Sequence, residues 1–259
     1  MRGLVLSLFP GIGLLDMAFE RTGFCVVRGP DQLWGGDVKE FSPPSGRFDG
    51  IIGGPPCQAF SRLRHLVEHN GYAVAENLIP EFERVVSTAA PRWFLMENVP
   101  DAPTPTVLGY DTKTVEFVDA WVGGDTSRRR AFTFGSACAA ARRFTVSTLA
   151  LHRTDPEPTV CASSGARPVP VAIGGSGKVK TTARHIATRK SASAMGFKTT
   201  GYLRDALRLQ GLPPDFLDKA PFTVAGKIKV IGNGVPRAMG DAVAAAVVRA
   251  LSRRDEAAA

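Results

Sequence analysis

The segment DGIIGGPPCQAFSR, residues 49–62, ends a short apolar run in two glycines and two prolines, then presents Cys57 and Gln58. Prolines and glycines at the end of a strand make a stiff, exposed corner, where burying a thiol gains little. A thiol attacks only as the thiolate, so it needs a helix N-terminus, a cation or a substrate that takes up charge during attack. A buried structural cysteine is the ordinary alternative, and Pro55, Pro56 and Gln58 argue against burial. A second reactive group, the carboxyl of Glu97, closes the apolar run WFLMEN. It reads either as a proton-handling group or as half of a surface ion pair. The turn FPGIG, Phe9–Gly13, puts two glycines between an apolar run and a helical pattern. Glycines there let backbone approach a ligand over a helix N-terminus. Asp31, 18 residues beyond Gly13, is placed where an acid can bind ribose hydroxyls. Asp16 stands where a nicotinamide-type fingerprint would want a third glycine, so an ordinary tight turn stays open as the other reading. SRRRAF adds three consecutive arginines, Arg128–Arg130, which alone could be a solvated strand end.

These groups need a scaffold. LVLSLF, FCVV, DGIIGG, WFLMEN and AFTFGSA read as strands of the buried, nearly continuous apolar kind. LLDMAFERTG and ENLIPEFERVVSTA fall between strands and read as helices, with Pro80 in the first turn of the second. The alternation implies an α/β fold with a mostly parallel sheet and helices on both faces. Ligand sites in such folds lie at the carboxyl ends of the strands, which brings Cys57, Glu97 and FPGIG to one crevice. Helical pattern resumes at YLRDALRLQGLP, and VPRAMGDAVAAAVVRAL places Ala238, Met239, Ala242, Val243, Ala246 and Val247 on one face.

Charge divides the chain. The 259 residues carry a formal net charge of +8. Residues 142–203 hold ten Lys/Arg against two Asp/Glu, so the whole excess sits there. Such a block favours a polyanion, most simply nucleic acid; a solvated insert is the other reading. Composition shifts at about residue 142, which gives a division into 1–141, an irregular insert 142–203, and a C-terminal segment 204–259 that completes the first unit. Hydrophobic content is 44% and charged content 22%, ordinary for a globular protein. Four scattered cysteines form no C-x-x-C and suggest no disulfide framework. The chain lacks a run of 18 apolar residues, and the expected location is cytoplasmic. HLVEH, His65–His69, matches a zinc signature, but no third ligand is identifiable and no metal is expected.

In order along the chain stand LFPGIG, the Gly36-Asp37 pair, GGPPCQAFS, MENV, SRRRAF, RLQGLP and GNGVP. This succession closely resembles the cytosine-C5 DNA methyltransferases, of a compact bacterial or phage type. The match covers roughly residues 1–135 and 203–250. The resemblance implies a Rossmann-like S-adenosylmethionine-dependent methyltransferase fold with a small inserted target recognition domain. It implies methyl transfer to C5 of a cytosine flipped out of double-stranded DNA, through a covalent bond from Cys57 to C6. By the same resemblance Glu97 meets N3 and the exocyclic amine, Arg130 holds the O2 side, and Arg128 contacts a backbone phosphate. Phe9, Gly11, Gly13, Asp37, Pro56, Asn233 and Gly234 line the cofactor pocket, with Asp31 as the ribose candidate and Trp34 available to stack on adenine. Gln58, Arg62 and Arg64 fall in the loop that closes over DNA, and Arg184, Arg189, Lys190 and Lys198 are phosphate contacts in the insert. A monomer is expected, with a cognate restriction endonuclease as a further partner, and the small insert suggests a short target sequence.

Two departures stand out. Only five residues separate Asp31 from Asp37, too few for the helix that the family places after its second strand. Thr126 stands where a glutamine commonly precedes the paired arginines. The rival readings are a tRNA cytosine methyltransferase and a DNA-binding relative without turnover.

Overall fold

A computed structural model describes residues 1–60, 76–149, 159 and 199–252. β1 (Leu4–Leu8) lies between β2 (Cys25–Arg28) and β3 (Gly50–Gly53), and β3 pairs with β4 (Trp93–Asn98), all parallel. β6 (Arg129–Ser136) runs antiparallel to β4, and β5 (Asp111–Val118) antiparallel to β6 on the far edge. The order is β2-β1-β3-β4-β6-β5. This is the mostly parallel α/β sheet that the strand–helix alternation implies. Every residue of β3 and β4 is buried, as expected of strands covered on both faces.

The two faces have separate cores. On one, α1 (Leu14–Arg21) and α5 (Arg237–Ser252) cover Val5, Ile52, Trp93, Leu95, Phe132 and Phe134. Trp93 stacks on Phe19 at a centroid distance of 5.8 Å, and an added Cβ on Gly50 would come within 2.2 Å of the Trp93 indole. A glycine in the neighbouring strand is what admits that ring. On the other face α2 (Ile79–Ala89) buries Ile79, Phe82, Val85, Val86 and Ala89, a stripe at helical spacing, against Leu6, Leu8, Ile51 and Phe94. Each such fully buried large side chain contributes about 1.5–3 kcal/mol. A third cluster packs α3 (Thr199–Leu209) and α4 (Val224–Asn233) against Leu14 at the start of α1.

The β2-to-β3 connection has no α-helix. It consists of two single 3-10 turns, Gln32–Trp34 and Val38–Glu40, each capped by an aspartate, Asp31 and Asp37. Side chains from elsewhere hold it. The Arg84 guanidinium, on α2, donates to the carbonyls of Val38 (2.8 Å) and Phe41 (3.0 Å) and pairs with Glu81 at 2.7 Å.

Residues 142–149, the first of the expected insert, pack against β6 and α5. Phe144 is fully buried against Phe134 at 5.1 Å. Arg143 donates to the Ala250 carbonyl, and Arg249 to that of Thr145. Most of the insert, with Arg184, Arg189, Lys190 and Lys198, lies outside the described residues, as do Arg62, Arg64 and HLVEH. Among the described residues no helix is long and apolar enough to cross a membrane, and no cluster of His, Cys, Asp and Glu could hold a metal.

Candidate active site

The turn after β1 is built from backbone that side chains rarely tolerate. Phe9, Gly11 and Gly13 all have positive φ, +55°, +56° and +81°. A phenylalanine there is uncommon and marks a corner held by its surroundings; the Phe9 N–H donates to the Pro30 carbonyl. Gly13 caps α1, and a Cβ on it would lie 2.1 Å from the Arg28 guanidinium. Arg28 pairs with Asp16 at 2.9 Å, and Asp16 also accepts from the Ser7 hydroxyl at 2.5 Å. Asp16 has no exposed surface, and burial pushes its carboxyl above the usual range although Ser7 and Arg28 pull it down. Among the described residues nothing lies within 4 Å of where a Cβ on Gly11 would stand, so that side of the turn is open to them.

Asp31 faces this turn. Its two carboxylate oxygens take the N–H groups of Gly11 (2.8 Å) and Leu33 (2.7 Å). The residue expected at the ribose thus also holds the backbone of the glycine turn. Asp37 is exposed, and its side chain accepts from the Lys39 N–H. Trp34 is 53% exposed, and its indole N–H donates to the Gly11 carbonyl at 2.8 Å.

Cys57 opens a 3-10 turn, Cys57–Phe60, separated from the end of β3 by three residues, and is half-buried. Pro55 before it is buried, and Pro56 half-buried. Gln58 lies in the same turn; its side chain is not among the described groups. Glu97 comes from the carboxyl end of β4 and is 8% exposed. Its Oε1 pairs with Nε of Arg130 at 2.8 Å, and the two side chains are 11% and 16% exposed. A Cβ on Gly54 would stand 3.0 Å from Glu97 Oε2, so the carboxylate rests against the glycine three positions before the thiol. Asn98 completes the join: its carboxamide donates to the Pro55 carbonyl at 3.2 Å and accepts from the Val99 N–H at 2.8 Å. The end of β4, the start of β6 and the Pro-Pro-Cys corner thus form one assembly.

Arg128 sits differently from its neighbour. It is 4% exposed, and its guanidinium donates to the Gly232 carbonyl at 2.8 Å. The side chain turns inward and ties the residue before β6 to the last turn of α4. Asn233, the last residue of α4, is exposed. A Cβ on Gly234 would come within 2.5 Å of Leu14, so GNGVP lies against the beginning of α1, beside the glycine turn. Thr126, the departure before the arginines, is buried and gives both its N–H and its hydroxyl to Asp119 Oδ2, at 3.0 and 2.7 Å. Asp119 has no exposed surface, and among the described residues its Oδ1 has no hydrogen-bond partner; burial raises its carboxyl above the usual range against the pull of Thr126 and Arg128. Asn98, Asp119 and Arg84 were not singled out by sequence. Of the three only Asn98 carried a signal, its place beside Glu97.

Residues 34–116 match the family described as C-5 cytosine-specific DNA methylase. The chain is 35% identical over 114 residues to the Type II methyltransferase M.FnuDI of Fusobacterium nucleatum, across 37% of this chain and 32% of that protein. It is 31% identical over 116 residues to M.NgoPII of Neisseria gonorrhoeae, across 37% of this chain and 33% of that one. It therefore spans about a third of the length of these two relatives. With M.HgiGI of Herpetosiphon aurantiacus it shares 31% identity over 115 residues, 36% of this chain and 88% of that one. Among solved structures, a variant of Spodoptera frugiperda DNMT2 superposes with a TM-score of 0.57 at 14% identity, covering 95% of this chain and 99% of that chain. The Entamoeba histolytica methyltransferase EhMeth gives 0.56 at 13% identity, over 96% and 98%. These two likenesses show a shared fold. Motif order, domain match and the extent of M.HgiGI covered agree: the chain belongs to the C-5 cytosine-specific DNA methylase family.

Proposed function

We propose that this protein transfers a methyl group from S-adenosylmethionine to C5 of cytosine in double-stranded DNA, with Cys57 as the nucleophile. The observation that carries the reading is the Glu97–Arg130 pair seated against Gly54, in the loop that presents Cys57. A carboxyl group and a guanidinium beside a half-buried thiol suit a pyrimidine ring, which offers a ring nitrogen, an amine and a carbonyl oxygen.

Cytosine C5 is a weak nucleophile until C6 is saturated. The Cys57 thiolate adds to C6, and the electron pair moves into the ring toward N3. Glu97 supplies a hydrogen bond or proton at N3 and accepts from the exocyclic amine, which stabilises that charge. Arg130, held by Glu97, meets the O2 side. With the methyl group on C5 and S-adenosylhomocysteine released, loss of the C5 proton to water and expulsion of the Cys57 sulfur as thiolate would restore the aromatic ring. The target base leaves the stack at a cost of a few kcal/mol.

The residues at the glycine turn fit the cofactor. Gly11 leaves an open face over the turn among the described residues, and the motif resemblance assigns Phe9, Gly13, Asp37, Pro56, Asn233 and Gly234 to the same pocket. When bound there, S-adenosylmethionine supplies an electrophilic methyl group. The basic block at 142–203 supports nucleic acid as the substrate and serves as the target-reading part.

The test is tritiated methyl transfer to duplex DNA and to bulk tRNA, with Cys57→Ala as control, and trapping on DNA carrying 5-fluorocytosine. The reading expects label in DNA alone, no label from the variant, and a covalent protein–DNA adduct from the parent. Transfer by Cys57→Ala at the parent's rate would falsify the thiol mechanism; label in tRNA alone moves the substrate to RNA.

A further inference from the structure

Gly11 is held at both of its peptide groups by one short segment. Its N–H donates to Asp31 Oδ2 at 2.8 Å, and its carbonyl accepts from the Trp34 indole N–H at 2.8 Å. Asp31 is fixed in turn by the Leu33 N–H at 2.7 Å and caps the 3-10 turn that ends at Trp34. The carboxylate and the indole are therefore the two arms of a single clasp. Between them Gly11 keeps φ +56° and an empty Cα face. The Trp34 ring also lies 5.7 Å from Phe222, at 46°, in the stretch before α4. The clasp thus touches the C-terminal segment that ends in Asn233.

From this geometry we infer that Trp34 is a positioning residue for cofactor binding, acting through its N–H on the Gly11 carbonyl. It does the work that a full helix after β2 would otherwise do, by fixing the glycine turn before the ligand arrives. Glycine has more backbone freedom to lose than any other residue. A turn that must order on binding lowers affinity, and one ordered beforehand does not. The indole N–H matters here because this 3-10 connection leaves the turn with no other side-chain donor to the Gly11 carbonyl among the described hydrogen bonds.

The inference rests on the methyltransferase reading and has its own test. Calorimetric titration with S-adenosylhomocysteine compares the parent with Trp34→Phe and Trp34→Leu. Phenylalanine keeps an aromatic face and loses the N–H; leucine loses both. Loss of one ordinary hydrogen bond corresponds to about a fivefold weaker dissociation constant. Trp34→Phe is expected to show that weakening, and Trp34→Leu at least as much, with DNA affinity in a filter-binding assay within about twofold of the parent. That split separates positioning of the cofactor turn from a general loosening of the fold. If Trp34→Phe binds as tightly as the parent, the N–H has no such role and the inference is overturned. If DNA affinity falls in parallel, the residue is merely structural and the inference is again overturned. A parent chain that does not bind S-adenosylhomocysteine overturns the cofactor reading itself, and this inference with it.

Discussion

The Asn98 carboxamide donates to the carbonyl of Pro55 at 3.2 Å, joining the end of β4 to the corner two residues before Cys57. Both residues are buried, so water cannot replace the bond without rearrangement. The same carboxamide accepts from the Val99 N–H. One side chain thereby fixes where two reactive groups stand relative to each other: Glu97 is its neighbour in β4, and Cys57 follows the corner it holds.

Replacing Asn98 with alanine leaves the Pro55 carbonyl and the Val99 N–H without this partner. A buried group so abandoned costs about 1–3 kcal/mol. The melting temperature should fall by roughly 2–4 °C per kcal/mol for a chain of this size. Turnover should fall by tenfold or more, while S-adenosylhomocysteine affinity stays near the parent's. Turnover at the parent's level in thermally weakened protein would show that the join does not position the thiol.

Gly54→Ala tests the seat of the carboxylate. The added methyl would stand 3.0 Å from Glu97 Oε2, tighter than ordinary contact, so the carboxylate must shift. A displacement of about 1 Å at a reacting group can cost on the order of a hundredfold in rate, and a shift of a few tenths of an ångström correspondingly less. On the proposed mechanism we expect a several-fold loss in kcat with little change in melting temperature. A parent-like kcat would mean that Glu97 has slack.

The buried Asp119 gives a pH test. Desolvation raises its carboxyl above the unfolded value, so the folded state favours the protonated form. This contribution to stability is complete below the unfolded pKa of about 4 and is lost as pH rises through the folded value. Asp119→Asn keeps an oxygen for the Thr126 donors and has no charge to desolvate. Melting curves from pH 4 to 8 should show the variant gaining on the parent as pH rises. A difference constant across that range would remove Asp119 from the balance.

Arg84→Met keeps the stem and removes the donors that hold Val38 and Phe41. Hydrogen bonds from a charged group are each worth about 1.5–3 kcal/mol. The melting temperature should drop by roughly 4–8 °C for a loss of about 2 kcal/mol. Hydrogen exchange should quicken at residues 36–41 before it does in β1 or β3. Uniform quickening would mean that the connection does not open separately.

The sheet was legible because β1, β3 and β4 are continuous apolar runs closed by glycine or a polar residue. β5 was missed because DTKTVEFV exposes one face on the sheet edge, and only Val115, Phe117 and Val118 mark it as a strand. α4 was missed because VAGKIKVIGN mixes glycines with β-branched residues, a poor helix by propensity; packing of Ile228 and Ile231 outweighs that preference. At the site, residue types and order pointed to Cys57, Glu97 and Arg130. They do not settle the packing of Arg128, which precedes β6 and whose guanidinium meets the Gly232 carbonyl only once α4 is in place. Spacing from Gly13 marks Asp31 as a ribose candidate; its hydrogen bonds to the Gly11 and Leu33 N–H groups depend on a 3-10 turn too short to leave a periodic signal.

The closing of the glycine turn by the last helices has a temporal side. On a ribosome, β1 to β4 and the Cys57 corner emerge long before Gly232 and Gly234, whose contacts with Arg128 and Leu14 finish the crevice. A nascent chain therefore carries Cys57 and Glu97 well before residues 232–234 can pack against Arg128 and Leu14. On the proposed methyltransferase reading, pulse-labelled synthesis should show S-adenosylhomocysteine protecting chains that extend past residue 252 from protease while leaving intermediates arrested near residue 220 unprotected.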